Sequence, residues 1–425
     1  MRFRPMWCMT LLTVVSCANL GQANSYLSNY NEPNTQKLIQ AMQQKQLHMV
    51  QFGDSHTAAD HFTHAVRTRL QATLGDGGMG WAMPMYFAGQ RMSLFGYDNT
   101  GWQPISSRAQ HEGHYTLGGL KAVPQYAGAK LTLKPKLNTA QAQQIRVSIR
   151  QGAQAGAFTG VDAEGRSIRF EAAVKNNTWQ LVEFTARLPF TITASDANSV
   201  IGGWWAKSTH AQGAVVSAIG INGAELSHLN RWSAAWTQEL EQIAPQLVVL
   251  AYGTNEAYNG RVDYTKMVDI LTEKVRQIRR ASPNAAIMIV SAPESLKSTA
   301  GGCGTRPASL SQIQSAQQQV AQNQNTLFWN WQQAMGGNCS MKNWIAQGKA
   351  LSDGVHFSVA GYQQLGQQLS QDLLGLAKIP MSQAASTSAS YQPATSFKPT
   401  PSLSLGYAKI CLEGASECAS IGAVQ

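Results

Sequence analysis

Residues 47–60 read Leu47-His48-Met49-Val50-Gln51-Phe52-Gly53-Asp54-Ser55-His56-Thr57-Ala58-Ala59-Asp60. The opening apolar run has the length of a short buried strand, and Gly53 ends it. Beyond it, Phe62, Val66 and Leu70 recur at spacings of four, which predicts a helix over 56–74. Ser55 therefore falls at a strand-to-helix turn, with its hydroxyl in the open and its own N–H pointing into the same space. Such a serine is a nucleophile only if the chain also supplies a base and an anion-stabilising pocket. Taken alone, helix capping by Asp54 or Ser55 is the stronger reading.

Working outward, 34–46 reads as an amphipathic helix leading into this strand. After residue 213 strands and helices alternate. Continuous apolar runs at 215–219, 247–252, 287–292 and 327–331 are candidate buried parallel strands. The segments 224–243, 264–281, 309–324 and 358–377 are candidate helices. With the strand before Ser55 the sheet has about five strands, which fits a flavodoxin-like three-layer α/β/α domain. The texture between 90 and 213 differs. Short apolar runs at 130–133, 145–149, 180–184 and 190–193 are separated by turns such as Asp162-Ala163-Glu164-Gly165 and Asn176-Asn177. That is the pattern of an all-β sandwich, here an insertion. The expected organisation is a signal peptide (1–23), a first α/β part (24–89), the inserted β domain (90–213), a second α/β part (214–378) and a Ser/Thr/Pro-rich tail (379–425).

Loops at the carboxyl ends of strands in such a sheet converge on one crevice. Four further candidates lie in or near such loops: Gly223 in Gly220-Ile221-Asn222-Gly223-Ala224, Asn255 in Gly253-Thr254-Asn255-Glu256, and Asp353 and His356 in Asp353-Gly354-Val355-His356. His356 suits the base, since neutral imidazole accepts a proton near neutral pH. Asp353, three residues earlier, can fix the imidazole tautomer and stabilise the imidazolium. The N–H groups of Ser55 and Gly223 and the side-chain amide of Asn255 are candidate oxyanion donors. Singly, Gly223 and Asn255 read as turn residues, and Asp-x-x-His is common. Their order and strand-end placement give the set its weight.

The order Ser…Gly…Asn…Asp-x-x-His resembles the SGNH (GDSL-type) hydrolase superfamily. Gly53-Asp54-Ser55-His56 stands in place of the commoner Gly-Asp-Ser-Leu, and Gly253-Thr254-Asn255-Glu256 in place of Gly-x-Asn-Asp. With a signal-like start and a β-rich insertion, residues 30–378 resemble exported bacterial peptidoglycan O-acetylesterases of the Neisseria type. The resemblance implies a triad of Ser55, Asp353 and His356, with Ser55, Gly223 and Asn255 forming the oxyanion hole. It also implies a carbohydrate-binding-module-like insertion, a periplasmic location, and removal of acetyl from the C6 hydroxyl of N-acetylmuramic acid. That chemistry requires no metal or organic cofactor. Three other readings stay open: an exported polysaccharide O-acetyltransferase, an esterase for another acetylated polysaccharide, and a non-catalytic carbohydrate-binding protein.

Other features are weaker. The chain has 425 residues, a formal net charge of +10 and only 13% charged residues. A basic balance suits an anionic partner. No run of lysines or arginines marks a nucleic-acid footprint, and the densest cluster, Lys274, Arg276, Arg279 and Arg280, reads as a solvated helix face. Arg2, Arg4 and the short apolar run 7–15 form a secretory signal, with cleavage after Ala23. A loose lipobox ending at Cys17 is the alternative and would give an outer-membrane tether. A monomer is expected. Of the four later cysteines, Cys303 and Cys339 sit in glycine-rich loops and are the expected disulfide, while other pairings with Cys411 and Cys418 stay open. His56, Asp60 and His64 share a four-residue spacing that a metal could use, although surface polarity and membership of the serine loop are the stronger readings. Trp81, Trp102, Trp204 and Trp205 are either core or a sugar-stacking face.

Overall fold

The structure is a computed structural model and describes residues 25–137, 141–210, 212–380, 409–410 and 419–420. The signal, Cys17, Cys411, Cys418 and most of the tail lie outside the described residues.

The α/β part begins with β1 (Leu27–Asn29), α1 (Thr35–Gln43), β2 (Gln46–Gly53), α2 (Ser55–Ala58) and α3 (His61–Leu74). The inserted part comprises β3 (Gly80–Ala82), β4 (Phe95–Thr100), β5 (Trp102–Ser106), β6 (Leu120–Pro124), β7 (Lys130–Pro135), β8 (Gln143–Gln151), β9 (Phe158–Val161), β10 (Ser167–Phe170), β11 (Trp179–Ala186), β12 (Phe190–Thr193) and β13 (Ser199–Ser208). The α/β part then resumes with β14 (Gly213–Gly220), a 3₁₀ helix (Leu226–Arg231), α4 (Ala235–Ile243), β15 (Leu247–Ala251), α5 (Thr254–Asn259), α6 (Tyr264–Ala281), β16 (Ala286–Val290), α7 (Leu310–Asn323), β17 (Leu327–Trp329), α8 (Trp331–Ala334), α9 (Ser340–Ala346) and α10 (Val359–Leu376).

The central sheet runs β1-β17-β16-β15-β2-β14. Leaving out β1, its strands are parallel, and their order across the sheet is 2-1-3-4-5. That is the flavodoxin-like order, whose topological switch lies between β2 and β15. Every residue of β14, β15 and β16 is buried, as strands covered on both faces must be. The antiparallel edge strand β1, paired to β17, is an addition to the expected five.

Two long helices of the sequence reading are each broken. The segment 56–74 divides at Asp60, which takes φ +52°. Its carboxylate is 1% exposed and accepts from Thr63 Oγ1 (2.6 Å), the Ser93 N–H (2.6 Å) and Arg67 Nη2 (3.2 Å). Those bonds outweigh local helix preference. The segment 224–243 starts as a 3₁₀ turn and restarts after Ser233. There the Ser233 N–H and Oγ–H both donate to the Tyr115 carbonyl, each at 2.8 Å. Periodicity carries no signal for either tertiary contact.

The insertion is a sandwich of antiparallel sheets ordered β10-β9-β12-β7-β4 and β11-β8-β13-β6-β5. β3, which precedes residue 90, pairs with β13 and so belongs to the second sheet. Rings interlock between the layers, with Phe170–Phe184 and Phe184–Phe190 centroids both 5.0 Å apart. Trp81, Trp102, Trp204 and Trp205 are all buried, so they are core and not a sugar-stacking face. The apolar core runs unbroken from the sandwich into the helical layer of the α/β part. Glu239 of α4 crosses the same boundary, accepting from Thr116 Oγ1 (2.6 Å) and Trp205 Nε1 (2.8 Å).

The basic cluster is not a uniformly solvated face. Lys274 is buried against Asn230 and Gln277, and Arg279 reaches Glu32 and the Gln324 carbonyl. The sulfurs of Cys303 and Cys339 are bonded.

Candidate active site

The crevice at the sheet's switch point collects the five candidates. β2 ends at Gly53, and α2 begins at Ser55. Asp54, not Ser55, caps that helix, accepting from the His56 N–H at 3.0 Å. The serine hydroxyl is therefore free for another partner. It lies 2.9 Å from His356 Nε2. On the other side of the ring, Nδ1 stands 2.7 Å from Asp353 Oδ2. Asp353 Oδ1 accepts from the N–H groups of Val355 (2.8 Å) and His356 (3.0 Å), which sets the carboxylate before it meets the ring. Partial burial pushes this carboxyl up. The hydrogen bond and charge of His356 and the two backbone donors outweigh that, and its pKa is lowered.

The Asp353–His356 turn lies between α9 and α10. Leu351 N–H donates to the His356 carbonyl at 2.8 Å, and Leu296 N–H donates to the Gly354 carbonyl at 2.8 Å. Gly354 has φ +72°, and a Cβ there would stand 2.7 Å from the Leu296 carbonyl. Glycine is thus required for the turn to seat against the loop after β16.

Besides Ser55 itself, the candidate anion donors lie on loops after β14 and β15, the two neighbours of β2. As first residue of α2, Ser55 carries an N–H with no intrahelical acceptor. Gly223 follows β14 with φ +69°. Asn255 follows β15, and its Nδ2 donates to the Ala224 carbonyl at 3.0 Å. One of the two amide hydrogens is thereby held and orients the other. Beneath them Glu256, 2% exposed, accepts from the Leu226 N–H (2.7 Å) and the Gly253 N–H (3.0 Å). It pins the Gly223 and Asn255 loops together. Burial pushes its carboxyl up to about 8. The signal available for this strut is a glutamate three residues after the N-cap, where its carboxylate can reach back to the Gly253 N–H. Asp54 is also buried, which raises its carboxyl to about 6.

The His56, Asp60 and His64 set does not converge. His56 Nδ1 meets Tyr362 Oη at 2.8 Å, Asp60 is held by Arg67, Thr63 and Ser93, and His64 Nδ1 faces Arg67 Nη1 at 3.3 Å. His56 is buried with its ring centroid 5.4 Å from that of His356. Burial, with the nearby His356, lowers its pKa to about 3, so it packs beside the candidate base as a neutral ring.

Comparison with known proteins adds an independent line. Residues 77–191 match the family model described as peptidoglycan O-acetylesterase, N-terminal, and residues 190–364 match the GDSL-like lipase/acylhydrolase family. A solved structure described as a peptidoglycan O-acetylesterase in action is 39% identical, with 83% of this chain and 99% of that chain covered and a TM-score of 0.76. The chain belongs to the peptidoglycan O-acetylesterase family. A putative GDSL-like lipase from Parabacteroides merdae (16% identity, 39% of this chain and 73% of that one, TM-score 0.32) is far less similar. So is a carbohydrate esterase family 3 protein from Talaromyces cellulolyticus (19%, 40% and 73%, 0.30). No curated protein matches the chain.

Proposed function

We propose that this protein is an exported serine esterase that removes O-acetyl groups from peptidoglycan, at the C6 hydroxyl of N-acetylmuramic acid. The observation that carries the reading is the Ser55–His356–Asp353 hydrogen-bonded line, set at the switch point of a chain belonging to this family.

In the proposed mechanism, Ser55 Oγ attacks the acetyl carbonyl carbon while His356 Nε2 takes its proton. The carbonyl oxygen becomes an oxyanion, held by the Ser55 and Gly223 N–H groups and the remaining Asn255 amide hydrogen. The bond to the sugar oxygen then breaks, and His356 returns the proton to that oxygen. Water, deprotonated by His356, next attacks the acetyl-serine carbonyl, the bond to Ser55 Oγ breaks, and His356 returns the proton to Ser55 Oγ as acetate leaves. Asp353 holds Nδ1–H throughout and stabilises the imidazolium. No described helix is long and apolar enough to cross a membrane. A periplasmic site and a monomeric state complete the proposal.

The test is acetate release from O-acetylated peptidoglycan, with acetylated xylan alongside. Release that needs Ser55, favours peptidoglycan and requires no added sugar acceptor supports an esterase of this substrate class. Acetyl movement only when an acceptor is present would replace it with a transferase.

A further inference from the structure

Arg108 of the inserted domain stands against the proposed oxyanion loop. Arg108 lies in the loop after β5, and a Cβ placed on Gly223 would stand 2.7 Å from its Nη2 and 2.8 Å from its Nε. The guanidinium thus rests on the α-carbon of the proposed oxyanion residue. Its position is fixed by contacts from the α/β part. Arg231 Nη1 donates to the carbonyls of Ser107 (3.0 Å) and Arg108 (3.2 Å), and Trp232 Nε1 donates to Ser107 Oγ at 3.3 Å. Within the loop, the Gln110 N–H donates to the Ser106 carbonyl at 2.9 Å, and the Ser107 N–H to the Gly119 carbonyl at 2.8 Å.

Among the described residues no carboxylate pairs with the Arg108 guanidinium, and residue 108 is exposed. Arg231 and His228 stand near it. Burial, Arg231, Arg108 and His111 together lower the pKa of His228 to about 4, so His228 is neutral near pH 7 and the standing charge there comes from the arginines. An arginine with no acidic partner at the mouth of an esterase site is available to an anionic substrate group. Guanidinium matches a carboxylate bidentately.

We propose that Arg108 is a specificity-determining residue that anchors a carboxylate of the acetylated glycan unit. This rests on the esterase reading above and deepens it. A muramyl unit carries a carboxyl on its lactyl ether, free or extended into an acidic peptide, whereas acetylated xylan is a neutral ester. The β domain would then select substrate by lending one cation to the catalytic crevice.

The test compares wild type, Arg108→Gln and Arg108→Lys on four substrates: para-nitrophenyl acetate, acetylated xylan, peptide-bearing O-acetylated peptidoglycan, and the same glycan stripped of peptide by an amidase. The expected result is a ten- to hundredfold loss of kcat/KM on anionic glycan relative to the neutral esters, about the worth of one charge-assisted hydrogen bond. The loss should sit mainly in KM, be partly restored by lysine, and shrink at high salt. Loss only on the stripped glycan would assign the lactyl carboxylate, which is free only there, loss only on the peptide-bearing form would assign the peptide, and loss on both would mean that either carboxylate is held. Equal loss on neutral and anionic substrates, or none, would overturn the anchor. Ser55-dependent hydrolysis of para-nitrophenyl acetate with no release from either glycan would instead overturn the peptidoglycan reading itself.

Discussion

Ser55 Oγ stands 2.9 Å from His356 Nε2 although 301 residues separate them in the chain. The sheet order makes this possible, because the loop after β2 opens at the switch point and the α9–α10 turn is held over it by the loop after β16. Ser55→Ala and His356→Ala should each lower kcat by about 10³–10⁶-fold, and the double variant should be little worse than either, as for residues that act as a unit. Unchanged circular dichroism with steady-state rates on para-nitrophenyl acetate checks this.

Asp353 holds the imidazole with one oxygen and two backbone N–H groups with the other. Asp353→Asn keeps the size but offers a donor where Nδ1–H needs an acceptor. The expected result is a fall of about 10²–10⁴ in kcat with KM little moved. A variant at wild-type rate would remove Asp353 from the site.

Asn255 has one amide hydrogen committed to the Ala224 carbonyl. Asn255→Ala should cost about 10²–10³ in kcat. A change in KM alone would mean that the amide binds substrate and not the developing oxyanion.

Asp54 supplies a pH test of stability. Its folded pKa of about 6 lies above the ordinary 3.8, chiefly through burial. The folded state therefore holds this proton more tightly than the unfolded chain. The resulting stability is fully present below about pH 4 and is lost as pH rises through about 6. Asn is an equally good helix cap, so Asp54→Asn should keep α2 while removing the titration. The difference in Tm between variant and wild type should move in the variant's favour from pH 4 to pH 7. A pH-independent difference would contradict the burial argument.

The Cys303–Cys339 bridge closes a loop of 36 residues. Chain-entropy arguments give it about 3–4 kcal/mol of stability. The double serine variant should unfold at lower denaturant, with activity at 25 °C retained because neither cysteine lies in the crevice.

The sequence was most legible where a pattern is local. Helix 264–281 and the apolar parallel strands are periodic or continuous, and Ser55 sits at a strand end that composition already marks. Asp353 and His356 were legible because they share one turn. Arg108 was not, since a lone arginine in a β-domain loop gains meaning only when Gly223 is placed beside it. The breaks at Asp60 and Ser233 were hidden for the same reason: each follows from a hydrogen bond to a partner far along the chain. The tryptophans were ambiguous because a buried indole and a sugar platform share one composition. Packing decides between them: Trp102 and Trp204 meet Phe158 and Phe190 of the opposite sheet, and Trp205 meets His48 and Glu239 of the α/β part.

The most direct test of the central claim is mass spectrometry of the Ser55 peptide after rapid acid quench during turnover of O-acetylated peptidoglycan. A fraction carrying one acetyl group on Ser55 is expected, rising within the first turnover and absent in Ser55→Ala. Steady acetate release with Ser55 never acetylated, or release undiminished in Ser55→Ala, would contradict it.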